Sequence, residues 1–171
     1  MIYKKAWKYI LTRDDSYCRH YGYYRPKALK KFSDIKRGSI GGYVDGYYNL
    51  SQSGNCWIYD FAEVHDNAYV FENANIKGFA YISDNARVFG NAKVLEEARI
   101  SEYAQIFDNA VISDNVKVLG NSQIYENVRL SENARVSENA KVSGNTRVSG
   151  FTYIYGDANI KDKILTEGVY K

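Results

Sequence analysis

Over residues 53–160 the apolar and polar positions recur every six residues. The units SGNCWI, YDFAEV, HDNAYV, FENANI and their successors follow without a gap, eighteen of them across 108 residues. The sixth position is always Ile, Val or Leu. The fourth is always small or short, mostly Ala, with Cys56, Val116, Ser122, Val128, Thr146 and Thr152 as the variants. The second is always Gly, Asp or Glu, and the third is mostly Asn. Positions four and six lie two apart, so on an extended strand they share a side, and position five between them points the opposite way. Gly, Asp and Asn at positions two and three tolerate the left-handed backbone of a corner. Each unit therefore predicts a short strand followed by a corner. One such strand buries too little surface to stand alone, so the units must stack as coils. A helix is excluded, because the apolar period is two within a unit and six between units.

This pattern resembles the hexapeptide-repeat family. The resemblance implies an all-β fold, a left-handed parallel β-helix of triangular section with three units per coil, hence about six coils from eighteen units. A narrower likeness covers residues 30–60. There Gly41-Gly42-Tyr43-Val44, Asn49-Leu50-Ser51 and Cys56-Trp57-Ile58-Tyr59 resemble the entry region of a bacterial and phage-borne group of hexapeptide-repeat proteins named as transferases. The organisation expected is a cap over residues 1–52, a β-helix over 53–160 and a tail over 161–171.

With three units per coil, residues eighteen apart stack in columns. Asn55, Asn73, Asn91, Asn109, Asn127 and Asn145 form one column, a predicted ladder of side-chain amides bonded along the axis. Phe71, Phe89, Phe107 and Tyr125 form another at position one, with Tyr69 beside the first. Position one points outward, so this predicts an apolar stripe of a kind that soluble monomers rarely leave bare. A subunit or partner interface is the favoured account, since aromatic residues are enriched in interface cores. A cover formed by the N-terminal segment or the tail is one alternative, and crowding at the corner that partly turns the rings inward is another. A third column sets Arg99, Lys117 and Arg135 between Tyr81 and Tyr153, either a solvated face or an anion-binding stripe.

Charge divides the chain. Residues 1–46 carry 11 Lys/Arg against 4 Asp/Glu, whereas residues 47–171 carry 12 against 16. The head lacks the repeat, and residues 3–11 and 21–31 read as short strands around the turn signal Arg13-Asp14-Asp15-Ser16. Its expected role is to cover the first coil, which otherwise exposes apolar core and unpaired strand edges. The head also interleaves Arg19, Arg25, Lys27, Lys30, Lys31, Lys36 and Arg37 with tyrosines, a mixture suited to phosphate contact and base stacking.

Two cysteines, Cys18 and Cys56, are too few for a disulfide framework or a zinc site. No apolar run reaches the length of a signal segment or a membrane span. A cytoplasmic protein, in the host cytoplasm if phage-encoded, with no metal and no membrane association is the expectation.

Many hexapeptide-repeat proteins are acyltransferases with a histidine base at a subunit boundary. The resemblance offers His65, at position one of the third unit, as the candidate here, with acetyl-CoA as cosubstrate; His20 reads as a cap residue. Against that stand the unbroken repeat, which leaves no acceptor loop, and the absence of a phosphate loop or nucleophile elbow. The sequence reading is a non-catalytic binding protein without cofactor, a homo-oligomer (dimer or trimer) through Tyr69, Phe71, Phe89, Phe107 and Tyr125. Its expected partner is a protein, for a phage-borne chain a host factor such as a bacterial defence component. The alternatives are a CoA-dependent acyltransferase and a nucleic-acid or nucleotide binder acting through the basic cap.

Overall fold

The computed structural model describes residues 7–13 and 23–171, and the described residues form strands and turns with no helix. The repeat winds into a parallel β-solenoid with three faces. One face stacks Tyr43–Val44, Glu63–Val64, Tyr81–Ile82, Arg99–Ile100, Lys117–Val118 and Arg135–Val136, and ends on Tyr153 and Ile154. The second stacks Trp57–Ile58, Asn75–Ile76, Lys93–Val94, Val111–Ile112 and Arg129–Leu130. The third runs from Tyr69–Val70 to Asn159–Lys161. Over residues 57–161, residues eighteen apart are in register, as the period requires.

The fourth- and sixth-position side chains fill the prism and are buried. Each buried Ile, Val or Leu contributes roughly 1.5–3 kcal/mol of apolar transfer, and the Ala rows leave room for them at the corners. Ser122, Thr146 and Thr152 occupy Ala positions without an unsatisfied hydroxyl, because each donates to the carbonyl three residues earlier.

The corners hold a device that composition alone does not announce. All eighteen second positions have positive φ, eleven of them at Asp or Glu rather than Gly. Left-handed backbone costs a non-Gly residue roughly 1–2 kcal/mol. Every one of those eleven carboxylates accepts the backbone N–H of the second position one coil on, Glu132 from Gly150 and Asp114 from Glu132 among them. A charged acceptor on a backbone N–H is worth about 1.5–3 kcal/mol, enough to offset the strain. The bond from Glu132 holds the Asp114 carboxyl below the usual carboxylate range. The amide ladder runs beside these corners from Asn73 through Asn91, Asn109 and Asn127 to Asn145.

The solenoid has about seven turns rather than six. Parallel pairing begins at Tyr43–Val44 and at Leu50, which bridges Val70, before the first hexapeptide. At the other end Ile164–Tyr170 stacks on Arg147–Ile154. Both partial coils escape the six-residue pattern. Leu50 and Ile58 stand eight apart, and the last strand pairs with a register shift at residues sixteen or seventeen away.

The head covers the first coil. Tyr9–Arg13 pairs antiparallel with Tyr24–Ala28, which continues antiparallel onto Tyr43–Val44. Tyr9 is buried against Trp57 and donates its hydroxyl to Leu50 O. The side chains of Asn49 and Gln52 stand in for strand neighbours. Asn49 accepts from Asp45 N and Gly46 N and donates to Asp66 O and Ala68 O; Gln52 accepts from Lys8 N and donates to Tyr9 O. At Gly42 the entry segment runs so close to the first coil that an added Cβ would lie 2.3 Å from Ala62 O.

Candidate functional site

Three side-chain clusters bear on function. The first surrounds His65. Position one predicts an outward side chain, yet His65 is only 5% exposed. The entry segment explains this: Asp45 reaches over the first coil, while Tyr23 and Tyr81 lie against the imidazole at ring-centroid distances of 4.8 and 5.3 Å. His65 Nδ1 is 3.0 Å from Asp45 Oδ1 and Nε2 is 2.8 Å from Glu63 Oε2. A carboxylate oxygen at each ring nitrogen favours the imidazolium, the form in which both nitrogens donate. Burial works against that charge, but the hydrogen bonds and charges of Glu63 and Asp45 outweigh it and raise the pKa above 6.5. A general base needs an unprotonated nitrogen open to substrate. Both nitrogens of this buried imidazole are engaged by carboxylates, so the geometry is that of a clamp tying the entry segment to the first coils. Glu63 was legible as a neighbour, since residues two apart on a strand share a side. Asp45 lies outside the repeat and had no such signal.

The second cluster is the aromatic column. Phe71, Phe89, Phe107 and Tyr125 stack nearly parallel, with centroids 4.7–5.0 Å apart and planes within 9°, and Tyr69 lies 4.9 Å from Phe71. All five are half-buried. The rings cover one another's faces and turn their edges outward, so the stripe is less bare than a row of outward rings implies.

The third is a groove of about 350 Å³ on the face that carries Arg99, Lys117 and Arg135. Consecutive rungs lie roughly 4.8 Å apart, as neighbouring strands must. All three cations are exposed, and none makes an ion pair or a side-chain hydrogen bond among the described residues. The acidic corners each accept a backbone N–H one coil on instead of pairing with these cations. Asn115 and Asn133 line the same groove with side-chain amides that bond to no described residue, unlike the laddered asparagines of the other corners. Phe151 and Tyr153 close one end, 67% and 42% exposed, and Glu97 stands at the other.

The basic head is dispersed by comparison. Lys27, Lys30, Lys31, Lys36 and Arg37 are exposed. Arg25 is not available to a ligand in the same way: its Nε donates to Gly41 O at 2.8 Å, a terminal nitrogen reaches Asp60 O at 3.3 Å, and its guanidinium lies over Tyr43. Arg19, Cys18 and His20 lie outside the described residues. Among the described residues no group of three His, Cys, Asp or Glu side chains could hold a metal ion, and no helix is long and apolar enough to cross a membrane.

Comparison with known proteins bears on the repeat. Residues 80–96 match the family described as YdcK Beta solenoid repeat. Over 33 residues the chain is 48% identical to a protein of Escherichia coli (strain K12) named "Uncharacterized acetyltransferase YdcK". That match spans 19% of this chain and 10% of the relative. The chain is a β-solenoid, and its repeat, its fold and these two matches together support a hexapeptide-repeat-like superfamily.

Proposed function

We propose that the chain is a non-catalytic binding protein, a rigid solenoid whose outward columns recognise a partner. The observation that carries this reading is the closed state of His65. The one histidine offered by the repeat as a base is buried, and each of its ring nitrogens lies within hydrogen-bond distance of a carboxylate. The half-buried aromatic column, with its edges outward, is the surface for self-association or for a protein partner. The likeness of the entry segment to phage-borne repeat proteins makes a host protein, such as a bacterial defence component, the partner class.

A CoA-dependent acyltransferase is the second reading, favoured by the name of the E. coli relative. The two separate by calorimetry with acetyl-CoA and an acetyl-transfer assay on wild type and His65→Ala. The binding reading expects no transfer and no dependence on His65. Transfer that disappears in His65→Ala would overturn it. Light scattering on wild type and Phe89→Asp reads the self-association directly, and a monomeric mass for both removes the oligomer from the proposal.

A further inference from the structure

The charges of this solenoid are unevenly committed. The acidic corners are tied to backbone N–H groups, and the acidic residues of the entry segment hold His65 and Tyr59. Arg99, Lys117 and Arg135, by contrast, stand in one column without an ion pair among the described residues, beside two asparagines whose side-chain amides bond to no described residue, with the single carboxylate of Glu97 at the far end of the groove. Like charges on adjacent rungs repel and are destabilising. Three of them in succession, beside these amide donors, make a surface that gains from a bound anion.

We propose that this groove binds a nucleotide carrying a polyphosphate chain, with the base on Phe151 and Tyr153 and the phosphates along Arg135, Lys117 and Arg99. The register places Tyr153 next to Arg135, so one aromatic rung is followed by three cationic ones, a run of roughly 14 Å at the strand spacing. That matches an extended nucleoside triphosphate. An exposed aromatic platform beside unpaired cations is the chemistry that takes a base and its phosphates together. The volume of about 350 Å³ is that of a small-ligand site. Two other anionic occupants fit less well. An acidic β-strand presents same-side carboxylates roughly 6.8 Å apart, out of step with rungs at roughly 4.8 Å, and leaves Phe151 unused. A second copy offers corner carboxylates that each already spend one oxygen on a backbone N–H, which weakens them as partners for a cation. The site is independent of the partner reading above and of the basic head.

Calorimetry at low salt with ATP, and with tripolyphosphate and adenosine as its separate halves, tests this. ATP is expected to bind one to one and more tightly than either half. Lys117→Glu is expected to weaken ATP by about tenfold or more, and Phe151→Ser to weaken ATP by about tenfold while leaving tripolyphosphate unchanged. Both positions are exposed, and matching thermal melts verify folding; Arg135→Gln serves if either variant melts early. The proposal is overturned if ATP shows no saturable binding. It is overturned equally if Lys117→Glu leaves binding intact, which moves the site elsewhere, or if Phe151→Ser leaves ATP untouched, which reduces the groove to a bare anion stripe. Acetyl-CoA carries an adenosine phosphate of its own. Its binding, if lost in Lys117→Glu and kept in His65→Ala, reports the groove and leaves the non-catalytic reading standing.

Discussion

The ammonium of Lys8 lies 3.0 Å from the carbonyl oxygen of Cys56 and 3.2 Å from its sulfur, with Lys8 itself only 2% exposed. The head thus plugs the open first coil with a lysine that also faces Ser53 O and Gly54 O. Burial lowers the Lys8 pKa and pushes the Cys56 thiol up, each partly countered by the other group.

Removing the plug should loosen the cap. Lys8→Met leaves carbonyls at the coil end without a donor, at a cost of about 1–3 kcal/mol. Because Cys56 is a buried neutral thiol, it should resist iodoacetamide in the native protein and label faster in Lys8→Met. Peptide mass mapping reads Cys56 alone, and prompt native labelling would show the plug to be open.

The His65 clamp predicts a pH dependence of stability. Its folded pKa is raised above 6.5, so the imidazolium contributes fully below that value and its contribution is lost as pH rises through the folded pKa. Thermal melts of wild type and His65→Gln from about pH 6 to about pH 9 should show the widest gap at the acid end. A gap that grows with pH would contradict the clamp.

The acidic corners predict an unusual ranking of substitutions. Glu132 sits at φ 59° and accepts from Gly150 N at 2.9 Å. Glu132→Ala loses the hydrogen bond and keeps the strain, whereas Glu132→Gly loses the bond and relieves the strain. Denaturant titration should find the Ala variant less stable than the Gly variant by about 1 kcal/mol, and both below wild type. In a regular strand or helix the order reverses.

The aromatic stack predicts cooperativity along the axis. Phe89 is flanked at 4.7 and 5.0 Å by Phe71 and Phe107. Phe89→Ala breaks two ring contacts at once and should cost about 1–3 kcal/mol, against about half that for Tyr125→Ala, which has one stacked neighbour. Equal costs at the two positions would mean that the rings act independently.

The asparagine ladder was readable from the column of residues eighteen apart; its bonds run from Asn73 to Asn145 and leave out Asn55, the first rung expected. The fate of the acidic second positions was not. Their side chains bond to residues eighteen positions away, and nothing in a six-residue window distinguishes that from solvation. The same distance hid the His65 clamp, since Asp45 is twenty residues upstream in a segment without the repeat. The two partial coils were missed because pairing tolerates a gap of eight or sixteen residues where a strict count of six does not.

Periodicity by itself determined that this chain is a stacked β structure, which side chains fill its core and which share a column. Those follow from the alternation of a strand and a regular corner, which are local. The tertiary structure decided which of the outward positions are covered, which carboxylates are already engaged, and hence which cations stand unpaired. Charge pairing and burial depend on groups from different coils and from the cap meeting in space, and only the folded chain brings them there.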